Sequence, residues 1–162
     1  MIDQELRELY QEVILDHGRR PRNLRRPARV THTACGHNPL CGDQLNVYLT
    51  VAADGRIQDV AFQGRGCAIS VASASLMTEV LRGKTMAQAQ ALFGRVHAMC
   101  AGADDGAPAG AEADDLAAEV ERLEVLAGVR QFPMRVKCAT LAWHTMKAAF
   151  AGGGEVNTEE EA

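Results

Sequence analysis

Asp43-Gln44-Leu45-Asn46-Val47-Tyr48-Leu49-Thr50-Val51-Ala52-Ala53-Asp54-Gly55 is the run that sets the fold class. Leu45, Val47, Leu49 and Val51 alternate with Asn46, Tyr48 and Thr50, the period of two expected of a half-buried strand. Asp54-Gly55 supplies a hairpin turn, so the chain returns antiparallel over residues 56–63. On that return strand Ile57 is out of phase with Val60 and Phe62, and a β-bulge reconciles them. Upstream, residues 30–34 can add a short strand. The sheet therefore has about three antiparallel strands, with Cys41 and Asp43 at one end.

Helical periodicity surrounds this sheet. Residues 3–17 read as a helix with Asp3 as N-cap and Gly18 as C-cap. Leu6, Leu9, Val13 and His17, with Tyr10 and Ile14 beside them, form its apolar stripe. Gly64-Arg65-Gly66-Cys67 turns the chain into a helix over 68–81. Ile69, Ala72, Leu76 and Val80 share one face of it, and Ser70, Ser73 and Ser75 keep the opposite faces small and polar. Thr85 and Gln88 form a capping box that opens a helix to about residue 99. Leu116, Val120, Leu123 and Ala127 restore helical spacing until Gly128. Pro133 opens a final helix whose stripe is Val136, Ala139, Trp143, Met146 and Phe150.

The expectation is an α+β single domain over residues 1–150, a small antiparallel sheet packed against a layer of α-helices. Residues 101–115 are a low-complexity acidic loop, and residues 151–162 a disordered acidic tail. The segment 19–29 holds six arginines with Pro21 and Pro27, an extended positive strip that is either a solvated connector or a dock for an acidic partner.

The formal charge of −4 argues against generic nucleic-acid binding, and no aromatic residues interleave with the arginines. No signal-peptide core and no apolar run of about 18 residues occurs, which predicts a cytoplasmic protein with no membrane partner. Five cysteines, 35, 41, 67, 100 and 138, are too scattered and odd in number for a disulfide framework.

Asn38-Pro39-Leu40-Cys41-Gly42-Asp43 places a thiol and a carboxylate two residues apart at a turn. Cys67 lies at a helix N-terminus, where the macrodipole favours a thiolate. Cys138 falls near the start of the final helix, flanked by Arg135 and Lys137. If these side chains converge, three thiolates and one carboxylate make an S₃O shell suited to zinc or iron. Their spacing matches no compact zinc finger, so convergence is a matter for the tertiary structure. Cys35 and Cys100 read as incidental. His17 packs on its helix stripe, His37 is the histidine best placed to approach the site, and His32, His97 and His144 show no constellation.

Several stretches resemble the IscU/NifU-type iron–sulfur cluster assembly family. They are Leu9-Tyr10-Gln11-Glu12-Val13-Ile14-Leu15-Asp16-His17 with Pro21-Arg22-Asn23, Asn38 to Asp43, Gly64 to Ser70 with Ala72 to Ser75, and Arg135 to Trp143. In the IscU branch a histidine immediately precedes the last cysteine. Here that position is Lys137, and an extra segment runs over about residues 99–118. Both departures resemble the SufU branch.

The resemblance implies zinc held by Cys41, Asp43, Cys67 and Cys138, and sulfur taken through Cys41 from a SufS-type cysteine desulfurase. Arg135 would give electrostatic support. Downstream SUF assembly proteins or apo iron–sulfur proteins would receive the sulfur. Two further readings remain open. The same ligands can carry iron or a transient Fe–S cluster on a scaffold, or a structural zinc without transfer activity. A thiol oxidoreductase lacks its Cys-x-x-Cys pair.

Overall fold

The structure, a computed structural model, describes residues 4–101 and 116–157. Along the chain come α1 (Gln4–Arg19), β1 (His32–Asn38), β2 (Asp43–Val51), β3 (Ile57–Arg65), α2 (Ala68–Leu81) and α3 (Met86–Ala101). After residue 115 follow α4 (Ala117–Leu123), a 3-10 segment (Glu124–Gln131), α5 (Pro133–Phe150) and β4 (Glu155–Asn157). The expected Asp3 cap, most of the acidic loop and residues 158–162 lie outside the described residues.

The strands form one sheet in the order β3-β2-β1-β4. β1–β2 and β2–β3 are antiparallel, with Val47 opposite Ala34 on one side and Phe62 on the other. The expected bulge is present: Thr50 pairs with Asp59 but Val51 with Ile57, so Gln58 is extra. That slip lets Ile57, Val60 and Phe62 all face the core, each with no exposed surface. α2 and α5 cover this face, α5 lying along β1 and β2 and α2 along β3.

Two expectations about the sheet are corrected. The first strand starts at His32 rather than residue 30 and runs on to Asn38, because Gly36 lets β1 approach α5. A Cβ at Gly36 would collide with Thr145 Oγ1. A fourth strand also exists. Residues 155–157, expected in the disordered tail, pair parallel with β1, and Val156 is buried among the core side chains. The backbone reaches that position through Gly152, Gly153 and Gly154, all at positive φ, which side-chain-bearing residues rarely adopt.

The serines of α2 do not form a polar outer face. Ser70, Ser73 and Ser75 are fully buried, and each is hydrogen-bonded. Ser73 donates to the Ala139 carbonyl and accepts from Trp143 Nε1 at 3.1 Å, which joins α2 to α5 around a buried indole. Ser75 Oγ meets His17 Nδ1 at 2.7 Å and accepts from the Arg22 backbone N–H at 2.8 Å, joining α2 to α1. Small hydroxyls permit close helix approach while each of these three serines keeps a partner.

The expected stripe of α1 is only partly inward. His17 is buried and Val13, Tyr10 and Ile14 are half-buried, but Leu9 is 53% exposed. Gly128 does not end a helix as expected, since a 3-10 turn carries the chain through it to Gln131. The capping box at α3 is confirmed: Thr85 N–H donates to Gln88 Oε1 and Gln88 N–H to Thr85 Oγ1.

The arginine strip is largely committed within the chain. Arg20 and Arg22 pair with Asp16, Arg25 with Asp59, and Arg26 sits 5.0 Å over the Tyr48 ring. Backbone bonds from Arg25 to Phe62 and from Phe62 to Asn23 fasten the segment onto the open edge of β3.

Burial, then the Arg22 charge, hold the His17 imidazole below its ordinary 6.5. The unfolded chain therefore binds a proton that the folded chain refuses, between 6.5 and that lower value. Stability is complete above this window and falls as pH drops through it. The urea midpoint should decrease from about pH 7.5 to about pH 5.5, and decrease less in His17→Gln. Equal decreases in the two proteins would remove His17 as the cause.

Candidate metal centre

Four elements deliver the site. β1 ends at Asn38 and β2 begins at Asp43, and the residues between them form a tight turn with Gly42 at φ 72°. Cys41 rides on that turn and is half-buried. Asp43 is the first residue of β2 and, by strand parity, points to the core side with Leu45 and Val47. It is only 2% exposed.

Cys138 lies in the second turn of α5, fully buried. Cys67 caps the N-terminus of α2, its sulfur accepting from the Ser70 backbone N–H at 3.5 Å.

The ligand atoms of Cys41, Asp43 and Cys138 lie within 4.8 Å of one another. The Cys138 thiol donates toward Cys41 Sγ at 3.4 Å. Cys67 stands outside that compact trio but is tied to two of its members. Its backbone N–H donates to Asp43 Oδ1 at 2.8 Å, and its sulfur lies close enough to Cys138 to feel that thiol.

The proximity of Cys67 and Cys138 dominates the local acid–base chemistry. The neighbouring Cys138 side chain, reinforced by the Ser70 N–H, pulls the Cys67 thiol down to about 5 against burial and the Asp43 charge. Cys138 moves the opposite way, raised by the neighbouring Cys67 and by burial. Arg135, exposed and three residues before Cys138 on α5, is held above its ordinary range first by Cys138 and then by the charge of Cys67, with a smaller push from Cys41.

Three soft sulfurs and one buried carboxylate oxygen, gathered from four points of the chain, are a donor set that fits zinc or ferrous iron. The pocket is also shaped tightly around the carboxylate. A Cβ on Gly66 would stand 2.7 Å from Asp43 Oδ1 and closer still to Ser70 Oγ, so only glycine lets α2 begin there.

One residue of the site had no role assigned from sequence. Asn38 is fully buried, and its amide Nδ2 donates to Asp43 Oδ2 at 3.2 Å and to Cys138 Sγ at 3.4 Å. Its parity with Ala34 and Gly36 would have indicated the inward face, had the strand been extended that far. His37 follows the opposite parity and lies on the outer face of β1, beside Cys35 rather than beside the cluster. Cys100, near the C-terminal end of α3, is buried with its thiol pushed up to about 12 by burial, which suits an inert core residue. His97 and His144, expected to be unconnected, pack around Phe93 with ring centroids 6.0 Å apart.

The fold has known counterparts. Residues 9–139 match the NifU-like N terminal domain, and the chain belongs to that family of IscU- and SufU-type proteins. It is 39% identical over 146 residues to the "Iron-sulfur cluster assembly scaffold protein IscU" of Streptococcus pyogenes serotype M1, covering 90% of this chain and 84% of that one. It is 38% identical over 144 residues to the "Zinc-dependent sulfurtransferase SufU" of Bacillus subtilis, covering 88% and 90% of the two chains. A crystal structure from Fervidobacterium islandicum AW-1, described as a candidate assembly scaffold for the SUF system, superposes with TM-score 0.70 at 30% identity, covering 88% of this chain and 96% of that one.

Gly66→Ala should push Asp43 and Ser70 apart and lower stability by about 1–3 kcal/mol, read as a reduced urea midpoint. An unchanged midpoint would show that the α2 N-terminus is not tightly packed on the carboxylate.

Proposed function

We propose that the chain serves iron–sulfur cluster biogenesis as a zinc-dependent sulfur acceptor, taking persulfide sulfur from a SufS-type cysteine desulfurase through Cys41. The observation that carries this reading is the unequal burial of the cluster. Cys138 and Asp43 are enclosed, whereas Cys41 is half-exposed on a turn, 3.4 Å in front of Cys138. A ligand so placed can leave the centre and meet a partner while the others stay. The zinc-dependent sulfurtransferase among the relatives, and Lys137 where the IscU branch has histidine, favour the same reading.

Cys41, Asp43, Cys67 and Cys138 would hold the zinc. Bound there, zinc keeps the thiols deprotonated and, having no redox chemistry, does not oxidise them. The reacting group is the Cys41 sulfur. As a thiolate it attacks the terminal sulfur of the persulfide on the desulfurase cysteine. The S–S bond breaks, its electron pair leaves on the desulfurase thiolate, and Cys41 carries the persulfide.

Arg135, beside the sulfurs, offsets the negative charge that gathers there. Asn38 keeps Asp43 and Cys138 in place while Cys41 is away. The persulfide then passes in the cytoplasm to downstream SUF assembly proteins or apo iron–sulfur proteins.

A scaffold reading has support of its own, from the IscU-named relative at 39% identity. In that case the same four side chains bind an Fe–S cluster as cargo, and the cluster must transfer intact to an apo-ferredoxin after anaerobic assembly.

The purified protein should carry about one zinc per chain and raise the turnover of a SufS-type desulfurase. Cys41→Ser should remove that stimulation while the fold remains. If Cys41→Ser stimulates as well as the wild type, Cys41 is not the acceptor.

A further inference from the structure

The outer face of the sheet carries a second gathering of metal-binding side chains, separate from the cluster. On β1, Gly36 and Asn38 point to the core, so Cys35 and His37 both point outward, two residues apart on one strand. The Cys35 Sγ to His37 Nε2 distance is 3.5 Å. The adjoining strand β4 runs parallel, with Glu155 opposite Cys35 and Asn157 opposite His37. Val156 is buried between them, so Glu155 shares the outer face with Cys35 and His37.

We propose that Cys35, His37 and Glu155 form a second, open site for a borderline divalent cation of the zinc class. The chemistry is a soft sulfur, an imidazole nitrogen and a carboxylate oxygen, a mixed set that zinc accepts with one position left for water. The spacing fits the same ion. With sulfur about 2.3 Å and nitrogen about 2.0 Å from zinc, a tetrahedral angle places the two donors about 3.5 Å apart.

The third donor needs a side-chain rotation. Among the described residues only Cys41, Asp43 and Cys138 bring three such atoms within 4.8 Å without one. Glu155 is exposed at the sheet edge and its neighbour strand fixes its Cα beside Cys35, so the rotation meets no packed core. The Glu155 charge already reaches Cys35: after burial, it is the next influence holding that thiol above its ordinary range. A dication between them compensates both groups at once.

The site owes its existence to β4. Without the glycine-borne return of residues 155–157 to β1, Cys35 and His37 would face solvent as a bare pair. It also changes how metal content should be read, since a chain with a filled cluster would take a second equivalent without any defect in the first.

The test uses full-length protein already loaded with one equivalent of zinc. Cobalt(II) is titrated in and the sulfur-to-cobalt charge-transfer absorption is followed. Wild type should bind one further equivalent with that band. Cys35→Ser should abolish the band, His37→Gln should weaken binding roughly tenfold or more, and Glu155→Gln should weaken it several-fold.

All three variants should keep the first zinc and the wild-type urea midpoint. A second equivalent that survives both Cys35→Ser and His37→Gln overturns the proposal and moves the ion elsewhere, for example to His97 and His144. So does the absence of any second equivalent at millimolar cobalt. Because the comparison is between variants already holding the first zinc, it stands or falls independently of the role assigned to Cys41.

Discussion

A carboxylate taken out of water at the end of β2 has to be compensated, and the rest of the centre is arranged around that need. Asp43 is enclosed by the turn before it, the α2 N-terminus above it and Asn38 beside it. The Cys67 N–H that it accepts is one of the free donors that every helix start must satisfy, so a single bond serves both groups. Gly66 has no side chain because Asp43 occupies that space. Burying the acid therefore fixes how sheet and helix meet, and the thiols follow from that docking.

The same economy appears in the polar core between the helices. Ser73 links the Ala139 carbonyl and the Trp143 indole, and Ser75 links His17 and the Arg22 backbone. Helical periodicity set these serines only on the faces opposite the apolar stripe, because a hydroxyl reads as polar wherever it stands. It does not say that a neighbouring helix will offer a partner. A small residue with one hydrogen bond packs as well as alanine, so α2 can be buried on nearly every side.

Where only local pattern was needed, the chain was readable. The Leu45–Val51 alternation, the bulge beside Ile57, the Thr85 and Gln88 capping box and the start of α5 at Pro133 all reappear in the fold. Misread elements depended on distant partners. β1 reaches Asn38 only because Gly36 fits against Thr145, and residues 155–157 are ordered only because β1 has a free edge for them. A three-residue strand after three glycines has too little periodicity to be seen in sequence.

Chain order alone carries the inventory: which residues bring sulfur and carboxylate, the turn that sets Cys41 beside Asp43, and the motifs that mark the IscU and SufU family. These are local or compositional facts, and chain order preserves them. Tertiary structure decided the distances. Cys138 meets Cys41 across 97 positions, Asn38 bridges Asp43 and Cys138, and Cys35 and His37 turn away from the cluster to the opposite face. Strand parity and helix docking, which depend on the whole core packing at once, place those atoms, and no spacing rule along the chain contains them.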